Sequence, residues 1–187
     1  AKARKAGHFV IVRVDENGER IPHTIADSNV EKGTITLVVQ KVGVSSSKLC
    51  NLNVGDSVLD IVGPLGRATH IEKFGTVVCA GGGVGVAPML PIIRAMKEAG
   101  NKVISVLAGR TKELIILESE VRKYSDEVVI MTDDGSYGNK GLITAGVETI
   151  INREKVDMCV TIGPAIMMKF VSLLTKKYEI PTVASLN

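Results

Sequence analysis

Hydrophobic and polar positions follow two different patterns along this chain. Up to about Phe74, short alternating or β-branched runs are broken by turn residues. Residues 9–14 stop at Asp15-Glu16-Asn17-Gly18, residues 34–41 at Val42-Gly43, and residues 57–62 at Gly63-Pro64-Leu65-Gly66. Alternation with a period of two marks strands with one buried face, so this half predicts a small antiparallel β-barrel or sandwich. From Gly75 onward an apolar run is followed by a helical repeat, four times over: 76–80 with 89–99, 103–108 with 114–124, 128–132 with 142–152, and 158–162 with 166–178. Alternating β and α predict a parallel sheet with right-handed crossovers. The expected organisation is therefore an all-β domain over 1–74 and a Rossmann-like α/β domain over 75–187.

The strand at 76–80 runs into Gly81, Gly82, Gly83 and Gly85, and Ala87 and Pro88 follow where a helix should begin. Glycines let a backbone turn at positive φ and let a pyrophosphate approach bare N–H groups. Proline suits the first helical turn, where its missing N–H is not needed. The run still departs from the strict dinucleotide fingerprint, because Val86 or Pro88 stands where a third Gly or Ala is expected. The next strand also ends in Gly109-Arg110 instead of a ribose-binding acid. A glycine-rich turn with no ligand is the alternative reading.

In a parallel sheet, ligands bind at the carboxyl ends of the strands. Those ends carry residues 81–85, Gly109-Arg110-Thr111-Lys112, Asp133-Asp134-Gly135-Ser136-Tyr137-Gly138, and Gly163-Pro164. Asp133 and Asp134, flanked by glycines, read as a turn and a ribose contact in preference to a metal or acid–base pair. Arg110 and Lys112 put two cations where a 2′-phosphate would sit, and Glu113 opposes one. In the first half, Gly43-Val44-Ser45-Ser46-Ser47 resembles a helix start whose hydroxyls and N–H groups suit a second phosphate, or serve only as an N-cap.

Composition narrows the function. Of 187 residues 45% are hydrophobic and mean hydropathy is +0.23, enough for a substantial core. Aromatics are 3% and tryptophan is absent, which leaves little material for stacking single-stranded nucleic acid. The net charge is +3, with Lys2, Arg4 and Lys5 reading as a solvated end, so no nucleic-acid partner is expected. Cys50, Cys79 and Cys159 are widely spaced and read as buried thiols, with no metal site. No apolar run approaches the ~20 residues of a membrane span and no signal peptide opens the chain, which makes a reducing cytoplasmic setting the default.

Taken in order, Gly7-His8-Phe9-Val10, Pro22-His23-Thr24-Ile25-Ala26, residues 43–49, Gly55-Asp56, Gly63-Pro64-Leu65-Gly66, residues 81–88 and Gly163-Pro164-Ala165-Ile166-Met167-Met168 resemble the ferredoxin-NADP reductase superfamily. Thr132-Asp133-Asp134-Gly135-Ser136, Gly138, Lys140-Gly141 and the closing Ala184-Ser185-Leu186-Asn187 are most similar to two of its branches. These are the small subunits of NADH-dependent reduced ferredoxin:NADP oxidoreductases, also called sulfide dehydrogenase subunits, and the electron-transfer subunits of dihydroorotate dehydrogenases.

The resemblance implies an NAD(P)H-dependent flavin oxidoreductase subunit in which a β-barrel holds FAD and the α/β domain holds NAD(H), with NADP(H) the less favoured choice. Hydride then passes between nicotinamide and flavin N5. By motif, Pro22, His23, Thr24 and Ile25 flank the isoalloxazine, with Thr24 near N5. Gly43, Val44, Ser45, Ser46 and Ser47, with Gly63 and Gly66, serve the FAD. Gly81, Gly82, Gly83, Gly85, Ala87, Pro88, Gly109, Arg110, Thr111, Asp133, Asp134, Gly135, Gly163, Pro164 and Met167 line the nicotinamide nucleotide. The superfamily's arginine before the flavin proline is Ile21 here, and the cysteine often found before the glycine matching Gly163 is Ile162. Members continue into a cysteine-rich segment binding a [2Fe–2S] cluster, and the barrel has an earlier first strand, so the sequence reads as an internal fragment. A larger catalytic redox subunit is the implied partner, with ferredoxin a further one. A nucleotide-binding interaction module without redox activity is the competing class.

Overall fold

A computed structural model describes residues 4–185 of the chain, so Lys2 and the Leu186-Asn187 end of the closing motif lie outside the described residues. The chain divides into two compact units, Ala1–Thr69 and His70–Asn187.

In the first unit, strands β1 (Phe9–Arg13), β2 (Ile21–Asn29), β3 (Thr34–Leu37) and β4 (Asp60–Leu65) form an antiparallel sheet in the order β3-β2-β1-β4, with helix α1 (Val44–Cys50) between β3 and β4. Alternation turns Val10 and Val12 of β1 inward against Ile25 of β2, and Ile35, Leu37, Leu49 and Val58 close this small core. The fourth strand differs from the sequence expectation: it runs through Gly63-Pro64, a pair that reads as a turn. Its place at the sheet edge explains this, since an edge proline forfeits no ladder bond. A Cβ at Gly63 would lie 2.6 Å from Val10 Cγ1, so only glycine lets β4 close on β1 there.

The second unit is a parallel six-stranded sheet: β5 (Thr76–Gly82), β6 (Lys102–Gly109), β7 (Glu127–Thr132), β8 (Asn139–Lys140), β9 (Met158–Ile162) and β10 (Thr182–Ala184), ordered β10-β9-β5-β6-β7-β8. Helices α2 (Val86–Glu98), α3 (Glu118–Tyr124), α4 (Ile143–Arg153) and α5 (Ala165–Lys177) make the crossovers. Chain order runs outward from β5 through β6 and β7 on one side and restarts with β9 on the other. The switch point therefore lies between β5 and β9, at the glycine run.

Strands β5, β6 and β9 are buried along most of their length, as continuous apolar runs of a sheet covered on both faces must be. Val78, Ala80, Ile104, Val106 and Met131 pack against Ile143, Val147 and Ile150 of α4 and Val171 of α5. Burying each of the valine, isoleucine and methionine side chains among them favours folding by roughly 1.5–3 kcal/mol. Helix boundaries differ from the sequence reading at two places. Helix α2 starts at Val86 and carries Pro91 within it, with Pro88 still in its first turn. Helix α3 starts only at Glu118, because a 3-10 turn over Lys112–Leu114 and a left-handed Leu117 (φ 55°) intervene.

The division between units falls a few residues before Phe74, and one buried side chain explains it. Asn101 is 2% exposed; its Oδ1 accepts the N–H of Phe74 (2.7 Å) and Gly75 (3.0 Å), and its Nδ2 donates to the carbonyls of Glu72 (2.8 Å) and Met96 (2.9 Å). These bonds fasten residues 72–75 to the start of β6.

Candidate functional site

The four glycines of the run have different jobs. Gly81 and Gly82 are still strand, and a Cβ on Gly82 would run into Met167. Gly85 has ordinary helical dihedrals (φ −62°), but its Cβ would stand 2.5 Å from the Ile162 carbonyl oxygen and 2.7 Å from Gly163 Cα. It is glycine because the entry to α2 packs directly on the end of β9. Gly83 alone turns at positive φ (+54°), and nothing lies within 4 Å of where its Cβ would be. Within the run one residue makes the turn while its neighbours permit close packing. Ala87 and Pro88 occupy the first turn of α2, and Pro164 precedes α5, which carries Met167.

On the other side of β5, the loops after β6 and β7 are laced together. The N–H of Asp133 donates to Gly109 O (3.2 Å) and that of Asp134 to Arg110 O (3.3 Å). Asp134 Oδ1 accepts the Ser136 N–H (2.9 Å) and hydroxyl (2.7 Å), the turn-forming use of an aspartate, while Gly135 takes φ +77°. Ser136 Oγ accepts the N–H of Lys112 at 2.9 Å. Thr111 donates to Glu113 at 2.6 Å, and that hydroxyl holds the Glu113 carboxyl below its usual range. The Ser136 hydroxyl and N–H do the same for Asp134. Arg110 and Lys112 are both exposed, and the Lys112 ammonium sits 5.4 Å from the Tyr137 ring centroid. The Tyr137 hydroxyl donates to both oxygens of Glu118 at 3.0 Å, and Arg122 pairs with Glu118 at 2.7 Å. Sequence reading missed this Lys112–Tyr137–Glu118 chain; its one signal was an aromatic residue inside an otherwise polar loop.

The fold thus gathers Gly81, Gly82, Gly83, Gly85, Ala87, Pro88, Gly109, Arg110, Thr111, Asp133, Asp134, Gly135, Gly163, Pro164 and Met167 at the carboxyl edge of one sheet, across the adjacent strands β9, β5, β6 and β7. Ligand-binding crevices of such sheets lie at this edge and at this switch point.

In the first unit, Pro22, His23, Thr24 and Ile25 lie on β2, with Phe9 of β1 opposite Thr24 and Val10 opposite His23. Pro22 is exposed, His23 and Thr24 are half-buried, and Ile25 belongs to the core. Burial lowers the His23 pKa, which favours the neutral imidazole. At α1, Ser46 Oγ accepts the N–H of Val42 (3.0 Å) and Gly43 (2.9 Å), and Ser45 Oγ reaches Glu19 at 3.5 Å. The Ser46 hydroxyl serves the helix start and that of Ser45 is directed to Glu19; Val44 is exposed and Ser47 half-buried beside them. Gly66 takes φ +85°, and a Cβ there would meet the Phe9 ring at 2.8 Å. Cys79 and Cys159 are buried as expected, but Cys50, at the end of α1, is exposed, because α1 covers the barrel with Leu49 and turns Cys50 outward. No described helix is long and apolar enough to cross a membrane.

Residues 79–173 match the family model of the oxidoreductase NAD-binding domain. The chain belongs to that family. It is 44% identical, over its whole length and 66% of the relative, to a dihydroorotate dehydrogenase B (NAD(+)) electron transfer subunit homolog of Thermotoga maritima. It is 30% identical, over 91% of itself and 67% of the relative, to the dihydroorotate dehydrogenase B (NAD(+)) electron transfer subunit of Streptococcus pneumoniae. A solved structure of an NADH-dependent reduced ferredoxin-NADP oxidoreductase, described as a flavin-based electron-bifurcating enzyme, superposes with a TM-score of 0.93 at 42% identity over all of this chain and 67% of that one. This chain's two-part architecture, an antiparallel sheet followed by a Rossmann-like parallel sheet, is shared with that reductase over the whole of this chain. The chain spans 66% of the Thermotoga relative's length.

Proposed function

We propose that this chain is the FAD- and NAD(H)-binding part of an electron-transfer subunit that passes reducing equivalents between NAD(H) and FAD and, in the full-length protein, onward to a larger redox subunit of the ferredoxin:NADP oxidoreductase type. The observation that carries the reading is Gly83: a left-handed residue with open space at its Cβ position, at the switch point of a parallel sheet. A Cβ would fill that space, and a pyrophosphate suits it. Together the two cofactors supply hydride transfer, and the chain's own residues bind and orient.

In this reading Gly83 and the first turn of α2 take the NAD(H) pyrophosphate, residues 109–111 and 133–135 take the adenosine side, and Gly163, Pro164 and Met167 take the nicotinamide side. On β2, Pro22, His23 and Thr24 flank the flavin, with the Thr24 hydroxyl or backbone toward N5. Ile25 contributes packing beneath them, since its side chain is in the core. The residues 43–47 meet the FAD pyrophosphate with backbone N–H groups and Ser47, because Ser45 and Ser46 already have partners. NAD(H) is favoured over NADP(H), because ionised Glu113 and Asp134 oppose a 2′-phosphate beside Arg110. The cysteines do not fit a [2Fe–2S] cluster: Cys50 is exposed, Cys79 and Cys159 are buried, and burial pushes the Cys159 thiol up to about 12. A cytoplasmic, heteromeric setting accords with this reading.

The test is a spectrum. FAD added to the purified chain should be retained as a yellow complex whose visible band bleaches on adding NADH without oxygen. A chain that binds NADH but never retains flavin would instead be a nucleotide-binding interaction module. Dissociation constants for NADH and NADPH on the parent and Arg110→Ala chains decide the cofactor; an NADPH preference lost in the variant overturns the choice of NAD(H). The names of the curated relatives favour a second reading, the electron-transfer subunit of a dihydroorotate dehydrogenase. The catalytic subunit that co-purifies with the full-length protein discriminates the two.

A further inference from the structure

In nucleotide-binding α/β sheets the loop after the second strand meets the adenosine ribose, where an acid binds the 2′-hydroxyl and a cation binds a 2′-phosphate. Here that loop follows β6, and it carries Arg110, Lys112 and Glu113. By sequence Lys112 is one of two cations placed where a 2′-phosphate would sit. In the fold its ammonium sits over the Tyr137 ring at 5.4 Å, and its backbone N–H is tied to Ser136 at 2.9 Å. The ring cannot easily follow the lysine toward a ligand, because the Tyr137 hydroxyl donates to both oxygens of Glu118, itself paired with Arg122. An ammonium over an aromatic face is held by the ring quadrupole.

We propose that Tyr137 is a specificity-determining residue: by holding Lys112 over its ring it withholds that ammonium from a 2′-phosphate and so favours NADH over NADPH. The inference rests on the reading of this sheet edge as the NAD(H) site. Tyr137 acts through Lys112 and is a positioning residue. Glu113 and Asp134 repel a 2′-phosphate directly; the Tyr137 contact withdraws Lys112, one of the two loop cations that would offset them, and leaves Arg110.

The test is a titration of NADH and NADPH onto the full chain, followed by nicotinamide fluorescence at one fixed ionic strength. Tyr137→Leu removes the aromatic face and should improve NADPH binding relative to NADH by roughly two- to fivefold, the most that release of one exposed ammonium–ring contact can return. Adding Lys112→Met to that variant should restore the parent ratio. Tyr137→Phe keeps the ring and should keep the parent ratio. If Tyr137→Leu does not fold, Lys112→Met alone decides: an unchanged ratio is expected, and a selective loss of NADPH binding would mean that Lys112 reaches the phosphate in the parent, which overturns the proposal. So does an unchanged ratio in a Tyr137→Leu chain that still binds NADH. A parent chain that binds neither dinucleotide refutes the site reading, and this inference with it; an unchanged ratio with intact NADH binding refutes only the role of Tyr137.

Discussion

The side-chain oxygen of Asn101 accepts the backbone N–H of Gly75 at 3.0 Å, so the entrance to the central strand β5 is held by a residue that precedes its neighbour β6. The same side chain satisfies Phe74, Glu72 and Met96. Asn101→Ala leaves these backbone groups without their partner and should destabilise the second unit by about 2–3 kcal/mol, measured as a lowered urea midpoint. A loss within experimental error would mean that water takes over the bonds.

Gly83 and Gly85 should separate binding from folding. Gly83→Ala strains a left-handed residue by about 1 kcal/mol but meets no atom within 4 Å, so the chain should fold and lose NADH binding. Gly85→Ala drives a Cβ against the Ile162 carbonyl and Gly163, and should cost about 2 kcal/mol or more in stability. Thermal melts and NADH titration on both variants check the pair; equal stability losses would contradict the division of roles.

The Thr161 hydroxyl is fully buried in β9 and has no hydrogen-bond partner among the described residues. Thr161→Val removes a group that was hydrated in the unfolded chain, and should raise stability by about 1 kcal/mol. A lower melting temperature would reveal a buried water on that oxygen.

Glu179 adopts φ 57° just after α5, with Ile180 N–H bonded to Thr175 O at 3.0 Å, an end geometry that glycine meets without strain. Glu179→Gly should stabilise by about 0.5–1 kcal/mol, less than the full left-handed cost because glycine also loosens the unfolded chain. The shift in urea midpoint measures it.

Acid should act through carboxylates tied to the sheet. The Asp126 carboxyl lies below its ordinary 3.8, chiefly through its bond to Lys97 at 2.6 Å and also through the Val103 N–H. Asp157 is lowered likewise, by Lys155 and then the Thr76 N–H. A depressed carboxyl binds fewer protons in the folded state, so its contribution is complete above the unfolded value and fades as pH falls through the folded one. Urea midpoints should hold from pH 7 to 5 and drop below about pH 4, and Asp126→Asn should make that drop shallower.

Period-two and helical patterning located the two halves and four of the six parallel strands, because long apolar runs carry their own signal. Strands β8 and β10 escaped it: Asn139–Lys140 is two residues long and Thr182–Ala184 three, so their pairing is set by neighbours and not by pattern. The glycine run is legible as a strand-to-helix turn but not residue by residue. Nothing in the sequence distinguishes Gly85, needed for the nearness of Gly163, from Gly83, needed for its own dihedral; their tertiary surroundings decide. Lys112 shows the converse. Its charge was visible, but its commitment to Tyr137 depends on loops from two different strands meeting.

Strand β5 pairs on both sides, with β6 and β9, and is fixed at its start by Asn101 and Asp157. Its amides should therefore exchange with solvent only when the whole second unit opens, while the open turn at Gly83 is borne on its far end. A ligand bound at that turn would meet a backbone whose conformational freedom was surrendered at folding, with little ordering entropy left to be lost on binding.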